Sequence, residues 1–311
     1  MNFDSKILIT GASGLLGSML VEQLILQGYN SIFTPNRFEL DCLNKSSVDL
    51  WFKKNKPEYV FHLASLVYGL QGNLDNKIKS LRDNLNIADS VIYACFENSV
   101  KKIFYAGTVA AYAYPYKSMP LLEDDFLSGE PHKGEYGYAI AKRYALSLLN
   151  LIESSGGSSF NYGIFTNLYG PNDRFNISSG HVIPSLICKA FTAARLREPL
   201  QVWGRAETVR DFIYVRDAAR AAIHCMKSDL KVVNISSGIG TTLGELVSEI
   251  LENLQEDISV EWDVSAPIGV EQRVVDNKKL LNSGFELKTS LIQGLYETMN
   301  WYKLNEKRLR K

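Results

Sequence analysis

The sequence has no surplus of charge: 34 lysines and arginines balance 34 aspartates and glutamates across 311 residues. Nucleic-acid and membrane-surface partners usually want a basic excess, so neither class is expected. It has no apolar run approaching the roughly 20 residues needed to cross a bilayer. Met1-Asn2-Phe3-Asp4-Ser5-Lys6 leads straight into a strand-like stretch, without the basic and apolar segments of a secretory leader. Cysteine is scarce, and Cys42, Cys95, Cys188 and Cys225 are scattered too widely for a disulfide framework or metal-ligand spacing. No metal site is expected, and the plain reading is a cytoplasmic protein with reduced thiols. There is also no internal repeat, low-complexity tract or long linker. What is present is 46% hydrophobic content, enough for a substantial core.

The first half alternates short β-rich apolar runs with longer helical patterns. Strands are predicted at Lys6–Thr10, Ser31–Thr34, Tyr59–Ala64, Lys102–Ala106 and Asn161–Thr166. Helices are predicted near Leu15–Gln27, Ser46–Lys54, Ile78–Glu97 and Tyr138–Ser154. Such alternation implies right-handed crossovers and a parallel sheet covered on both faces. The fold class expected is therefore α/β, a Rossmann-like doubly wound sheet followed by a smaller mixed α/β substrate domain.

After Gly170 the rhythm changes. Gly180–Arg197, Arg216–Lys227, Leu243–Leu254 and Ser290–Tyr302 are predicted helices, with short strands at Gln201–Trp203 and Asp211–Val215. Val232–Ile235 is expected to return as a strand to the first sheet. The division is thus 1–170 for a nucleotide-binding domain and 171–311 mainly for a substrate domain. The charged end, Lys303–Lys311, is expected to fray.

Gly11-Ala12-Ser13-Gly14-Leu15-Leu16-Gly17 follows the first strand and opens the first helix. The spacing serves a sharp turn at Gly11, close backbone approach at Gly14 and tight helix–sheet packing at Gly17. A dinucleotide pyrophosphate then lies against free N–H groups at the positive end of the helix. NAD-specific folds usually place a carboxylate at the end of the second strand. Here Phe33-Thr34-Pro35-Asn36-Arg37 has none before Glu39, and Arg37 can hold a 2′-phosphate with its planar fork. The alternative for Arg37 is a solvated surface residue; NADPH is the expected cofactor. Asn36 beside it, with Leu63 and Ala64 after the third strand, completes the expected cofactor contacts.

Tyr138-Ala139-Ile140-Ala141-Lys142 places a tyrosine and a lysine one helical turn apart on one face. A nearby ammonium is expected to lower the phenol pKa, and Tyr138 can then give a proton to a carbonyl oxygen as hydride reaches its carbon. Thr108, just past the fourth strand, can offer a hydroxyl to the same oxygen, or simply close a strand end. His181, in Gly180-His181-Val182-Ile183-Pro184 at a helix start, can act as acid or base near neutral pH, or be a packed or solvated histidine. His62, within Tyr59–Ala64, is assigned to structure beside the cofactor.

These segments, together with Thr166-Asn167-Leu168-Tyr169-Gly170-Pro171, Val202-Trp203-Gly204 and Arg210-Asp211-Phe212, resemble the extended short-chain dehydrogenases that remodel nucleotide sugars, most closely the GDP-L-fucose synthase branch. The resemblance runs over nearly the whole chain. It implies a catalytic Thr108–Tyr138–Lys142 set, an acid/base His181, and Arg37 beside the cofactor's 2′-phosphate. It also implies substrate contacts from Asn167, Lys189, Trp203, Arg210 and Arg273, a GDP-linked keto-sugar as substrate, and a homodimer paired through the helices near Ile78–Glu97 and Tyr138–Ser154. In that branch a cysteine two residues beyond the catalytic Ser/Thr works with the histidine to invert C3 and C5 before NADPH reduces C4. Here Thr108-Val109-Ala110 puts a methyl group there, which can neither accept nor return a proton.

A second departure lies at Pro267-Ile268-Gly269-Val270-Glu271-Gln272-Arg273. The branch usually carries an acid after the proline and a cation near Gln272. Arg273 either compensates or faces solvent, and the sugar can be a heptose instead of a hexose. The competing activities are 4,6-dehydration, which wants an acidic pair after Thr108, and NAD-dependent 4-epimerisation, which Arg37 disfavours. A non-catalytic NADPH-binding sensor is the rival of another class, and it has no need of an intact Thr108–Tyr138–Lys142 set.

Overall fold

The computed structural model describes residues 1–68, 72, 75–265 and 269–309. Six parallel strands form the main sheet: β1 (Ile7–Thr10), β2 (Ile32–Phe33), β3 (Tyr59–His62), β4 (Lys102–Thr108), β5 (Ser159–Phe165) and β9 (Val232–Ile235). Their order is β2-β1-β3-β4-β5-β9, so the winding reverses beside β1 and β3. Crossovers run through α1 (Leu15–Leu26), α2 (Lys45–Asn55), α3 (Lys77–Glu97) and α4 (Tyr136–Ser154), and α6 (Val215–Lys227) leads back into β9.

Alternation along the strands divides the core in two. Leu8, Val60, Ile103 and Tyr162 face Val48, Phe52, Val91 and Leu149 of α2, α3 and α4. Ile7, Ile9, Phe61, Phe104 and Phe165 turn the other way, against Leu20 and Leu24 of α1 and Ala222 and Met226 of α6. With both faces covered, the strands are predominantly apolar, as in buried parallel sheets, with a few buried polar residues such as Thr10, His62, Asn161 and Asn234.

The remaining elements build the second part. Strand β8 (Val209–Tyr214) pairs with β6 (Asn167–Tyr169), β10 (Gly240–Thr242) and β12 (Gln272–Arg273), while β7 (Leu200–Trp203) pairs with β11 (Val260–Asp263). Around them lie α5 (Val182–Leu196), α7 (Leu243–Leu254), the short α8 (Lys278–Asn282) and α9 (Leu291–Leu309). A capping box, with Thr242 and Glu245 bonding each other's backbone, starts α7.

Several boundaries differ from the sequence reading. Helix α4 begins two residues early, because the preceding 3₁₀ turn (Lys133–Glu135) feeds directly into it. Strands β6, β10, β11 and β12 are two to four residues long and carry no periodic signal. The stretch Lys303–Leu309 does not fray as expected, since α9 continues to Leu309; residues 310 and 311 of that expectation lie outside the described residues. Arg195 pairs with Glu306 at 3.5 Å, and the Asn305 amide donates to the Trp301 carbonyl at 2.9 Å, tying down that last stretch.

Candidate active site

The reversal of winding opens a crevice at the carboxyl ends of β1 and β3, where open α/β sheets bind ligands. Thr10 joins its two walls: its carbonyl accepts from Leu63 N–H at 3.2 Å and its hydroxyl from Ala64 N–H at 3.3 Å. Gly11 has φ +73°, and a Cβ there would lie 2.9 Å from Ala64 N. A Cβ on Gly17 would overlap the Gly11 carbonyl oxygen. Both positions therefore require glycine. Gly14 starts α1 without a side-chain cap, and Ser13 and Gly14 are exposed while Leu15 is half-buried and Leu16 fully buried. This is a backbone cradle at a helix start, the shape and polarity a pyrophosphate needs.

Beyond β2, the Asn36 side chain accepts from Phe38 N–H at 2.8 Å and Glu39 N–H at 3.2 Å, while Glu39 accepts from Asn36 N–H. The turn so formed leaves Arg37 71% exposed, 3.7 Å from Asp41. Its guanidinium is available to a phosphate approaching from solvent.

Thr108 ends β4, and its hydroxyl oxygen accepts from Ala110 N–H at 3.2 Å, capping a 3₁₀ turn (Val109–Ala111). Tyr138 and Lys142 occupy successive turns of α4. The Lys142 ammonium donates to the Ala106 carbonyl at 2.8 Å and lies 5.5 Å from the Tyr138 ring centroid and 4.8 Å from that of Tyr105. Strand β4 and helix α4 thus bring Thr108, Tyr138 and Lys142 to one end of the sheet.

The expected lowering of the Tyr138 pKa is not what the structure gives. Burial pushes this phenol up to about 12; a hydrogen bond with Ser65 works against the rise and the Glu135 carboxylate adds to it. Burial also lowers Lys142 to about 7, so the ammonium that was to favour the phenolate is only partly charged at neutral pH. The outcome suits donation, since a tyrosine that must give a proton has to carry one. His62, fully buried with Nδ1 2.7 Å from the Thr10 hydroxyl, is pushed down to about 3 by burial first and Lys142 second, and stays neutral. It sits at the edge of the Tyr105 ring, 5.3 Å between centroids.

The other implied residues gather in the second part. Lys189 lies 4.1 Å above the Trp203 ring, bringing α5 and β7 together. Asn167 donates its amide to the Asp211 carbonyl at 2.9 Å. Arg210 and Arg273 are direct partners across β8 and β12. Arg210 bonds the Val209 and Glu271 carbonyls, and burial first, then Arg273, lowers it to about 10. Arg273 does not face solvent. It is buried, donating to Tyr116 Oη at 2.8 Å and to both oxygens of Glu135 at 3.2 and 2.5 Å. Burial opposes its charge, but Glu135 and Tyr116 outweigh that and raise its pKa. Pro267 and Ile268 lie outside the described residues. His181 stands at the start of α5, its Nδ1 3.3 Å from Asp173, on a different element from Tyr138 and Lys142.

Four residues near these groups escaped the sequence reading. Ser65 bonds Tyr138 and donates to Asn84 at 2.7 Å; Tyr105 underlies Lys142. Glu135 sits one turn before Tyr138, the only one with a legible spacing, and Asp173 partners His181. Among the described residues there is no cluster of metal-ligating side chains, and no helix is long and apolar enough to cross a membrane.

The profile of the NAD dependent epimerase/dehydratase family matches residues 7–236. The chain belongs to this family. Within it, GDP-L-fucose synthase 1 of Arabidopsis thaliana is 32% identical over 306 residues, 97% of this chain and 94% of the relative. GDP-L-colitose synthase of Yersinia pseudotuberculosis is 31% identical over 308 residues, 97% of this chain and 99% of its own length. Among solved structures, the GDP-mannoheptose C4 reductase from Campylobacter jejuni, with NADP bound, shares the fold with a TM-score of 0.89. It is 28% identical and covers 97% of this chain and 99% of that one. The resemblance read from the motifs therefore holds at the level of family and branch, and the doubly wound sheet is the family's fold.

Proposed function

We propose that this protein is an NADPH-dependent reductase of the C4 keto group of a GDP-linked 4-keto-6-deoxy sugar, hexose or heptose, with little or no inversion at C3 and C5. The observation that carries it is an intact Thr108–Tyr138–Lys142 arrangement with a buried alanine, Ala110, where the branch carries its thiol. Gly11, Gly14 and Gly17 would hold NADPH, with Arg37 for its 2′-phosphate, and the bound cofactor would supply a hydride. Thr108 and Tyr138 hold the ketone oxygen, and Tyr138 gives it a proton. Lys142, bonded to the Ala106 carbonyl, keeps Tyr138 in place and passes it a replacement proton. Arg210, Lys189 and Trp203 hold the GDP-sugar; Asn167 and His181 flank it. The colitose synthase and heptose reductase relatives, like the fucose synthase, are named for GDP-sugars, which supports the substrate class. A second copy of this chain is placed against α3 and α4, whose outer faces leave Ile78 and Leu151 exposed.

The paired His181 and Asp173 favour a second reading, a bifunctional 3,5-epimerase and 4-reductase. Turnover of GDP-4-keto-6-deoxymannose with NADPH in deuterated water separates the two by NMR of the product. The expected result is NADPH consumption with no deuterium at C3 or C5. Deuterium there with inverted stereochemistry establishes the bifunctional enzyme instead. Ala110→Cys should introduce C3/C5 exchange, and a variant with none would remove the alanine from the explanation.

A further inference from the structure

His181 occupies the N-cap position of α5, yet its side chain makes no capping bond. Its Nδ1 points instead to Asp173 Oδ1, 3.3 Å away. Asp173 is a buried carboxylate, with 2% of its side chain exposed, whereas the imidazole is half exposed. The second oxygen, Oδ2, is buried and meets no hydrogen-bond partner among the described residues. A buried carboxylate is costly unless it is paired; Oδ1 accepts from Arg174 N–H at 2.7 Å, and the side chain that can pair with it as a cation is a protonated His181.

The segment between the two residues is tightly wound. Asn176 Oδ1 takes the N–H groups of Ser178 and Ser179 at 3.0 and 2.9 Å, and both hydroxyls at 3.0 Å. Gly180 N–H returns to the Asn176 carbonyl at 2.9 Å, and Ser185 Oγ donates to the Ile177 carbonyl at 2.8 Å. Phe175 stacks on Trp301 of α9, with centroids 5.5 Å apart and planes at 26°. The loop is thereby pinned to the helix that follows it and to the last helix of the chain. Asp173 and His181 meet because this frame holds them together, not because they are neighbours in sequence.

We propose that Asp173 is a positioning residue for His181: it holds the proton on Nδ1, fixes the ring, and leaves Nε2 free to hydrogen-bond a hydroxyl of the bound sugar. This rests on the reading that places His181 at the substrate. With Nδ1–H on Asp173, Nε2 of the neutral ring accepts a hydrogen bond from a sugar hydroxyl and Nε2–H of the protonated ring donates one; no proton leaves the histidine. The charged groups facing the imidazole are Asp173, whose hydrogen bond raises the His181 pKa, and Arg174 beside it, which opposes the rise along with burial. The positive end of α5 also opposes it. Because the folded pKa is raised, this pair stabilises the fold fully below the histidine's ordinary pKa. That contribution fades as pH rises through the folded value.

The test is a ¹H–¹⁵N NMR titration of the imidazoles in the full-length protein. The chain has four histidines, and His181 is assigned by the signal lost in His181→Gln. In the wild type, the neutral ring is expected to carry its proton on Nδ1, with a midpoint above about 6.5. Asp173→Asn should lower that midpoint by about one unit or more, and Asp173→Glu should restore most of it. An Nε2–H tautomer in the wild type overturns the proposal without any variant, and so does a midpoint that Asp173→Asn leaves unmoved. Because the readout needs no turnover, a protein that reduces no keto-sugar would sink the functional reading while this result stood. With turnover, Asp173→Asn should shift a limb of the pH profile and lower kcat more than it raises KM. A purely structural role would leave that limb in place.

Discussion

Tyr138→Phe should lower keto-sugar reduction about 100- to 10,000-fold, the range by which a single proton donor accelerates such steps, and leave NADPH affinity nearly unchanged. The phenyl ring preserves the contact with Lys142, 5.5 Å from the ring centroid, so α4 keeps its packing while only the hydroxyl is lost. Single-turnover NADPH oxidation, followed by absorbance beside a direct binding titration, separates the two quantities. Retained turnover in this variant would mean that another group, Thr108 or solvent, protonates the ketone. Loss of NADPH binding would instead make the hydroxyl part of the cofactor cradle. Because Tyr138 is pushed up to about 12, the wild-type rate should not fall between pH 7 and 9 through its ionisation. A decline in that range belongs to Lys142, lowered to about 7.

Arg273→Met should cost about 3–5 kcal/mol of folding stability, the usual loss when one member of a buried ion pair is removed. Two bonds to Glu135 and one to Tyr116 disappear together, leaving a carboxylate and a hydroxyl without the cation that satisfied them. The double variant Glu135→Gln, Arg273→Met should be more stable than the sum of the single losses predicts, because the uncompensated charge has gone as well. Denaturant midpoints of the four proteins measure this. Additive losses would show that the pair is not energetically coupled. Glu135 lies one turn before Tyr138, so the same cycle read by turnover reports how firmly β12 sets the start of α4.

The sequence announces some of this architecture and is silent on the rest. The alternation of Ile7, Leu8 and Ile9 and the apolar face of α1 are visible because buried parallel strands and amphipathic helices each have a period. Gly11 and Gly17 are legible because a backbone crevice excludes a Cβ at both. The Thr108–Tyr138–Lys142 arrangement follows from spacing on α4 and from the end of β4. Strands β6, β10 and β12 are too short to show a period, and they exist because β8 supplies their hydrogen bonds. Asp173 and Arg273 were illegible as partners for a different reason. The seven residues between Asp173 and His181 and the long separation of Arg273 from Glu135 follow no helical or strand repeat; tertiary packing alone joins them. The Tyr138 pKa was misjudged from sequence because spacing reveals the neighbouring lysine but not the desolvation that weakens it.

The return of the chain to its first sheet bears on how such a protein can change by recombination. Strand β9 pairs with β5 from Tyr162 through Phe165, although some 70 residues of the second part lie between them in sequence. A crossover that exchanged everything after Gly170 would replace this strand along with the elements of the second part. The donor would have to supply a matching apolar edge, or β5 would be left with open backbone groups that invite pairing with other chains. If β6, β8, β12 and α5 hold the sugar as proposed, inheritance of a new sugar specificity is thereby channelled into point substitutions on them, while the main sheet is passed on together with its last strand.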